Sequence, residues 1–460
     1  MATPQLSPGV LVREVDLTVG RADNVLDNIG AICGPFEIGP VEEVTNITNE
    51  IDLINVFGEP KEGDSQYEYW MSASSYLSYG GVMKVVRADD DDLKNANAGV
   101  GAASTTTLKI KNYDDYINNY STATDFYFAA KNPGSWANSL KVCYIDDFAD
   151  QTIGITTSDL SAAGATIGAG VTAAITGTLP GSGTTSVFTG YLKGIITGVS
   201  TAASGTESTI DVKIVSRVST AGTTSGTETQ IDYAEGDGFA SFDTSDTVYL
   251  VNSAGVNTGG LGASGITPAS AVDWYDQQTL GLTNSTVYWK TLAPKPGTSV
   301  YVDDRKGHND QLHIAVVDDL GDVTGVKGNI LEKHVDLSKA SDAISNVNAP
   351  QKIYFKDYLR DLSPNLYAGK DLLAQVETNH GGFTPAATGF TAYTGVKSAS
   401  FTADSGSGNQ SGTVAQDKQF LAVGNVTFTL ASGNDYQTSG SDGYKADLGK
   451  LITAYGLLDN

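Results

Sequence analysis

Between Val10 and Ala88 the spacing of apolar residues switches from a period of two to helical spacing and back, which restricts the opening of the chain to an α/β arrangement. After the turn residues Ser7-Pro8-Gly9, Leu11, Arg13, Val15 and Leu17 share one face of an extended segment. Val10, Val12, Glu14 and Asp16 share the other. Neither face is cleanly apolar, so this strand suits a sheet edge better than a core. The short apolar segment Gly30-Ala31-Ile32-Cys33-Gly34 follows and is closed by Gly39-Pro40. Thr48 or Asn49 then caps a helix running to about Phe57, with Glu50 and Asp52 where the helix dipole favours acids. Leu53, Ile54 and Phe57 form its stripe, and Gly58 and Pro60 end it. A second helix is predicted over 64–79, with Trp70, Ala73, Ser74 and Leu77 on one side and Gly80-Gly81 as its stop. Val82–Ala88 reads as a strand.

The character of the chain changes after Ala88. Asp89–Asp92 could in principle gather oxygen ligands for calcium, but the EF-hand spacing and its Gly and Glu are absent, so a solvated boundary loop is expected. From about Gly99 to Val347 the pattern is mostly β, with frequent Gly, Ser and Thr turns, and residues 155–270 are poor in bases and large aliphatics. Within it, Asn132-Pro133-Gly134 is a turn and Leu140–Ile145 a strand; Ser285–Leu292 and Gln311–Val317 also read as strands. Lys352–Phe355 opens a short element closed by Asp361-Leu362-Ser363-Pro364. Asn425–Leu430 is a further strand. A last helix starts near Asp442, with Leu448, Leu451, Ile452 and Tyr455 as its stripe.

Charge and motifs exclude several functions. The formal net charge of −25 arises from 28 Lys and Arg against 53 Asp and Glu, which argues against a nucleic-acid partner or docking on an anionic membrane. No apolar run is long enough for a helical membrane span, and residues 1–20 lack the pattern of a secretion signal. Cys33 and Cys143 read as small buried hydrophobes. His308, His313, His334 and His380 show no metal-ligand spacing, and surface or loop positions are expected for them. No nucleophile elbow or phosphate loop occurs, and Gly99–Ala103 lacks the third glycine of a dinucleotide loop. The paired acids Asp303-Asp304 and Asp318-Asp319 would point to opposite faces of a strand and define no site. No catalytic, cofactor or metal residues are therefore assigned.

Five segments, in order, carry a family resemblance: Ser7–Asp16, Gly34-Pro35-Phe36-Glu37-Ile38-Gly39-Pro40 with Val44-Thr45-Asn46, Asn49–Pro60, Tyr76–Gly81, and Val85-Val86-Arg87-Ala88. Together they resemble the tail sheath proteins of contractile-tailed bacteriophages. The resemblance singles out Gly34, Pro35, Gly39, Pro40, Phe57, Gly58, Tyr79, Gly80 and Arg87 as the family-motif core. It also implies that Val10, Leu11, Val12, Arg13, Glu14, Val15 and Asp16 form a linking arm that joins a neighbouring subunit.

The implied fold is mixed α+β: a truncated α/β sheath core domain interrupted by β-rich inserted domains. The implied organisation is an arm at 1–22, the first part of the sheath domain at 23–90, a linker and small outer insertion at 91–127, a β-rich protruding insertion at 128–345, and a return to the sheath domain at 346–460. The family continues into a C-terminal domain, so the chain is expected to be a fragment of a subunit. The implied function is a structural subunit, not an enzyme, that polymerises as stacked hexameric rings around a tail tube and contracts to drive it through the host envelope. Implied partners are further sheath subunits, the tube protein, the baseplate and the tail terminator, with no nucleic acid, membrane insertion or cofactor. The implied location is the virion tail, assembled in the host cytoplasm. A sheath of a related contractile injection particle, and a β-rich adhesin or carbohydrate-binding protein, stand as alternatives.

Overall fold

In the computed structural model the described residues are 29–60, 66–100, 107–156, 165, 167, 169–178, 187–201, 207–219, 229–230, 241–251, 265–305, 307–345, 350–372, 396, 418–420, 422–436 and 443–459. The chain is mixed α/β with more strand than helix, and its strands form several separate sheets. It divides into two compact units, one made of Met1–Asp89 with Thr438–Asn460 and the other of Asp90–Gln437.

The first unit holds a three-stranded sheet of β1 (Ile29–Gly34), β2 (Val44–Ile47) and β3 (Val82–Arg87), in the order β1-β3-β2. β3 is central, parallel to β1 and antiparallel to β2. Parallel pairing requires a long crossover, which here contains β2, α1 (Glu50–Phe57) and α2 (Tyr67–Leu77). α1 starts where the sequence places it: the Asn49 side chain accepts the Asp52 backbone N–H at 2.8 Å. It stops at Gly58, whose φ of 80° lies in the left-handed region and whose N–H donates to Ile54 O at 2.9 Å. α2 ends at Leu77, two residues before the expected end. Trp70, Ala73 and Leu77 are its buried side, and Ser74 is half-buried, donating instead to Glu50 Oε1 at 2.9 Å. With Phe36, Ile47, Leu53, Phe57, Met83 and Val85 they make one core, each large side chain contributing roughly 1.5–3 kcal/mol of burial.

The C-terminal helix Gly443–Gly456 corrects its expected stripe. Ala454, fully buried, packs with Cys33 and Val86, and Leu451, Leu457 and Leu458 lie against them. Ile452 and Tyr455 are exposed, and the Leu448 side chain lies outside the described residues. Helical periodicity fixes which residues align, but the choice of buried face belongs to the sheet it meets.

The second unit is β-rich. A seven-stranded sheet includes Gln151–Thr156, Gly170–Thr178, Val187–Ser200 and Glu207–Ser219 around an aliphatic core of Ile153, Val171, Leu192, Ile196 and Ile210. A four-stranded antiparallel sheet runs in the order Asn329–Ser338, Gln311–Asp318, Leu140–Asp146, Asn425–Thr429. Leu366–Ala368 pairs with Phe126–Ala130, so the described parts of 346–437 pack within this unit.

Three further expectations are overturned in these two units. Ser285–Leu292 is not a strand: only Tyr288 bridges, and Trp289–Thr291 is a 3₁₀ turn that buries the Trp289 ring completely. His313 is no surface histidine. It is fully buried, its Nδ1 accepts the Asp336 N–H at 3.0 Å, and its Nε2–H therefore donates to Pro294 O at 2.8 Å. Asp89 and Asp90 are buried rather than solvated, while Asp91 and Asp92 are exposed. Lys450 stands 3.6 Å from the Asp89 carboxylate and offsets part of that burial. The Asn425, Leu140 and Gln311 strands fall where the sequence puts them, within a residue.

Candidate functional site

The candidate site is the loop that joins β1 to β2 and the residues that fix it. Gly34 and Pro35 are buried at its start, and Phe36 is fully buried against Phe57, with ring centroids 4.9 Å apart and planes at 44°. Arg87, the last residue of β3, is fully buried beneath the loop. Its guanidinium is used as a fork: Nε donates to Phe36 O at 2.6 Å, Nη2 to Glu37 O at 2.6 Å, and Nη1 to Gly39 O at 2.9 Å. The backbone of β3 closes the same ring of contacts, with Ala88 N donating to Gly34 O at 2.9 Å and Glu42 N to Arg87 O at 3.0 Å. A planar cation with five donors can satisfy several loop carbonyls at once, whereas a lysine ammonium presents one compact point charge.

The glycines of this region are required by close approach and backbone sign. Gly39 has φ of 107°, and a Cβ there would stand 2.7 Å from the Phe57 ring and 3.0 Å from Val56 O. A Cβ on Gly34 would lie 2.7 Å from the Tyr69 ring. Gly58 O accepts the Trp70 indole N–H at 2.9 Å, which ties α1 to α2. Pro40 is half-buried within the loop. Of the nine motif residues, Tyr79 and Gly80 stand apart from this cluster. Tyr79 is 89% exposed on the turn before β3, and Gly80, with φ of 83°, has open space around its missing side chain.

Sequence reading missed Gln66, whose buried carboxamide oxygen accepts the Glu37 N–H at 2.9 Å, and Tyr69 and Tyr76, whose rings cover Gly34, Gly30 and Gly81. The signal available was the coincidence of glycines on strands with tyrosines spaced seven apart on one helix. The arm residues Val10–Asp16 lie outside the described residues.

The Cys33 thiol is pushed up to about 11 by burial, which keeps it protonated and unreactive. Among the described residues no group of three or more His, Cys, Asp or Glu side chains could hold a metal ion, and no helix is long and apolar enough to cross a membrane. What the unit offers is a loop held by the Arg87 hydrogen bonds over a short sheet. Among the described residues, β1 and β2 each pair along one edge only.

No family model matches the chain. Among curated proteins it is similar to the tail sheath protein of Enterobacteria phage T4, at 37% identity over 97 residues, covering 21% of this chain and 14% of the phage protein. It is also similar to the tail sheath protein of Vibrio phage KVP40, at 37% identity over 87 residues, covering 18% of this chain and 12% of the relative. These matches bear out the resemblance read from the residues. The matched stretch spans about one-seventh of the length of the first of these relatives.

Proposed function

We propose that the chain is part of a structural subunit of a phage contractile tail sheath. Subunits would stack as hexameric rings around a tail tube, and contraction would drive the tube through the host envelope. The observation that carries this reading is the 37% identity to two tail sheath proteins. The geometry of the first unit is consistent with it. A subunit in a sheath must transmit force through its body while its links to neighbours persist, and the Arg87 fork makes one rigid piece of loop and sheet. The residues Val10–Asp16 would then join a neighbour by strand addition, where main-chain bonds hold and alternating side chains specify. The proposed partners are other sheath subunits, the tube protein, the baseplate and the terminator, in a virion tail assembled in the host cytoplasm. The chemistry is assembly, not catalysis. In sheath-domain terms, 23–90 and the end of the chain belong to the core, and the β-rich segment between them is an outward insertion.

Negative-stain microscopy of the protein carrying this chain tests the reading. Striated tubes are expected from the full protein. Deleting residues 1–18 should leave soluble subunits that form no long sheaths. Normal tubes from the deletion would refute the linking role, and a full protein that never forms tubes with its tube partner would refute the sheath reading.

A further inference from the structure

The second unit contains a cavity of about 570 Å³ with several charged side chains on its wall, within the roughly 300–1,000 Å³ typical of small-molecule sites. The loop 121–124 forms one side. Lys356, Asp357 and Arg360 come from the helix Phe355–Leu362, Tyr354 from its N-cap, and Lys370 and Asp371 from the strand exit beyond Ala368. Most of these charges are matched. Lys356 pairs with Asp371 at 2.6 Å, Lys352 with Asp357 at 3.0 Å, and Arg360 donates through Nη1 to Asp357 at 2.9 Å and through Nε and Nη2 to Asp361 at 2.6 and 2.7 Å, so three cations balance three carboxylates.

Two groups on the cavity wall are not matched. Among the described residues, neither the Lys370 ammonium nor the Tyr354 hydroxyl has a hydrogen-bond or ion-pair partner. Burial raises the Tyr354 phenol well above its ordinary range, helped by the nearby Asp371 and Asp357 carboxylates, so it remains a donor at neutral pH. The neighbouring Tyr116 differs: its hydroxyl donates to Ala368 O at 2.7 Å, and it serves as wall rather than contact.

This balance of groups selects a ligand class. The one unmatched ammonium asks for one negative charge on the ligand. Asp357 and Asp371, although paired with cations, retain lone pairs that can accept from O–H donors. A bare inorganic anion supplies the charge but no such set of hydroxyls. An apolar ligand supplies neither and would leave the Lys370 ammonium and the Tyr354 hydroxyl without partners. We propose that this cavity binds a single acidic sugar residue, a pyranose carrying one carboxylate or one phosphate. Lys370 meets its anionic group, Tyr354 donates to a ring or hydroxyl oxygen, and Asp357 and Asp371 accept from its hydroxyls.

Saturation-transfer NMR on the whole chain, with glucuronic acid, glucose 6-phosphate, glucose and inorganic phosphate as probes, tests this. At least one of the two acidic sugars should bind about tenfold more tightly than glucose, the gain of one charge-assisted contact. Which of the two binds distinguishes a carboxylate-bearing from a phosphate-bearing sugar. Lys370→Gln should abolish the preference for acid over glucose with an unchanged melting curve, and Tyr354→Phe should weaken every sugar several-fold. Three results on the unaltered chain would overturn the proposal without recourse to any variant. These are no binding of either acidic sugar, glucose binding as tightly as both, or inorganic phosphate displacing the sugars at equal concentration.

Discussion

Replacing Arg87 by methionine keeps a long apolar stem in the core and removes the fork that holds residues 36–39. Three carbonyls lose donors at 2.6, 2.6 and 2.9 Å. A hydrogen bond to a charged group is worth about 1.5–3 kcal/mol, so three taken separately would sum to about 4.5–9. They share one side chain, so they are not additive, and the loop can open to let water reach the freed oxygens. About 4 kcal/mol is a reasonable net loss of local stability. Since 1.4 kcal/mol is a factor of ten, amides of β1, β2 and the loop between them should exchange with solvent deuterium about a thousandfold faster. Hydrogen-exchange mass spectrometry on peptides from residues 29–60 reads this directly. Peptides from Gln311–Asp318, in the other compact unit, serve as the internal reference. Arg87→Lys should recover less than half of the lost protection, because an ammonium cannot span the three acceptors. Acceleration below about tenfold in 29–60, or full rescue by lysine, would refute the idea that the fork geometry holds the loop.

Other outcomes follow from the same contacts. Gly39→Ala should destabilise the first unit by about 2–3 kcal/mol, because it combines a positive φ with a clash against Phe57, whereas Gly80→Ala, with open space around it, should cost only about 1 kcal/mol; equal shifts in the unfolding of this unit would contradict the distinction. Asp150 resists ionisation through burial but is overcome by Lys213 and Lys295, which hold its carboxyl at about 2 in the fold. A depressed folded value contributes stability above the unfolded value near 4 and loses it as the pH falls from about 4 to about 2, so Asp150→Asn should flatten that part of an acid-unfolding curve. Cys33 and Cys143 are fully buried, with thiols raised to about 11 and about 12 by burial, so thiol titration at pH 8 should label neither in the folded chain and both in denaturant.

Much of the first unit was legible because its signals are local. Asn49 as cap, Glu50 and Asp52 in the first turn and Gly58 as stop all act within one helix, and the structure uses each of them. The existence of the strand Gln311–Asp318 and the burial of both cysteines were equally readable from side-chain type, but that the strand is buried on both faces from Leu312 onward was not. The motif residues could be named from the sequence, but their division into a buried cluster around Arg87 and an exposed Tyr79 could not.

What the tertiary structure alone decided are pairings across long separations. Arg87 reaches carbonyls 48 to 51 residues earlier, and nothing in the surrounding Val-Val-Arg-Ala says that this cation goes inward. His313 is buried because Asp336 and Pro294, on other segments, supply a donor and an acceptor to its two ring nitrogens. Asp89 can leave water because Lys450, from the far end of the chain, comes within 3.6 Å. In each case the sequence fixes which groups are costly to bury, and the fold decides which of them find partners, since desolvation depends on type but its compensation depends on position.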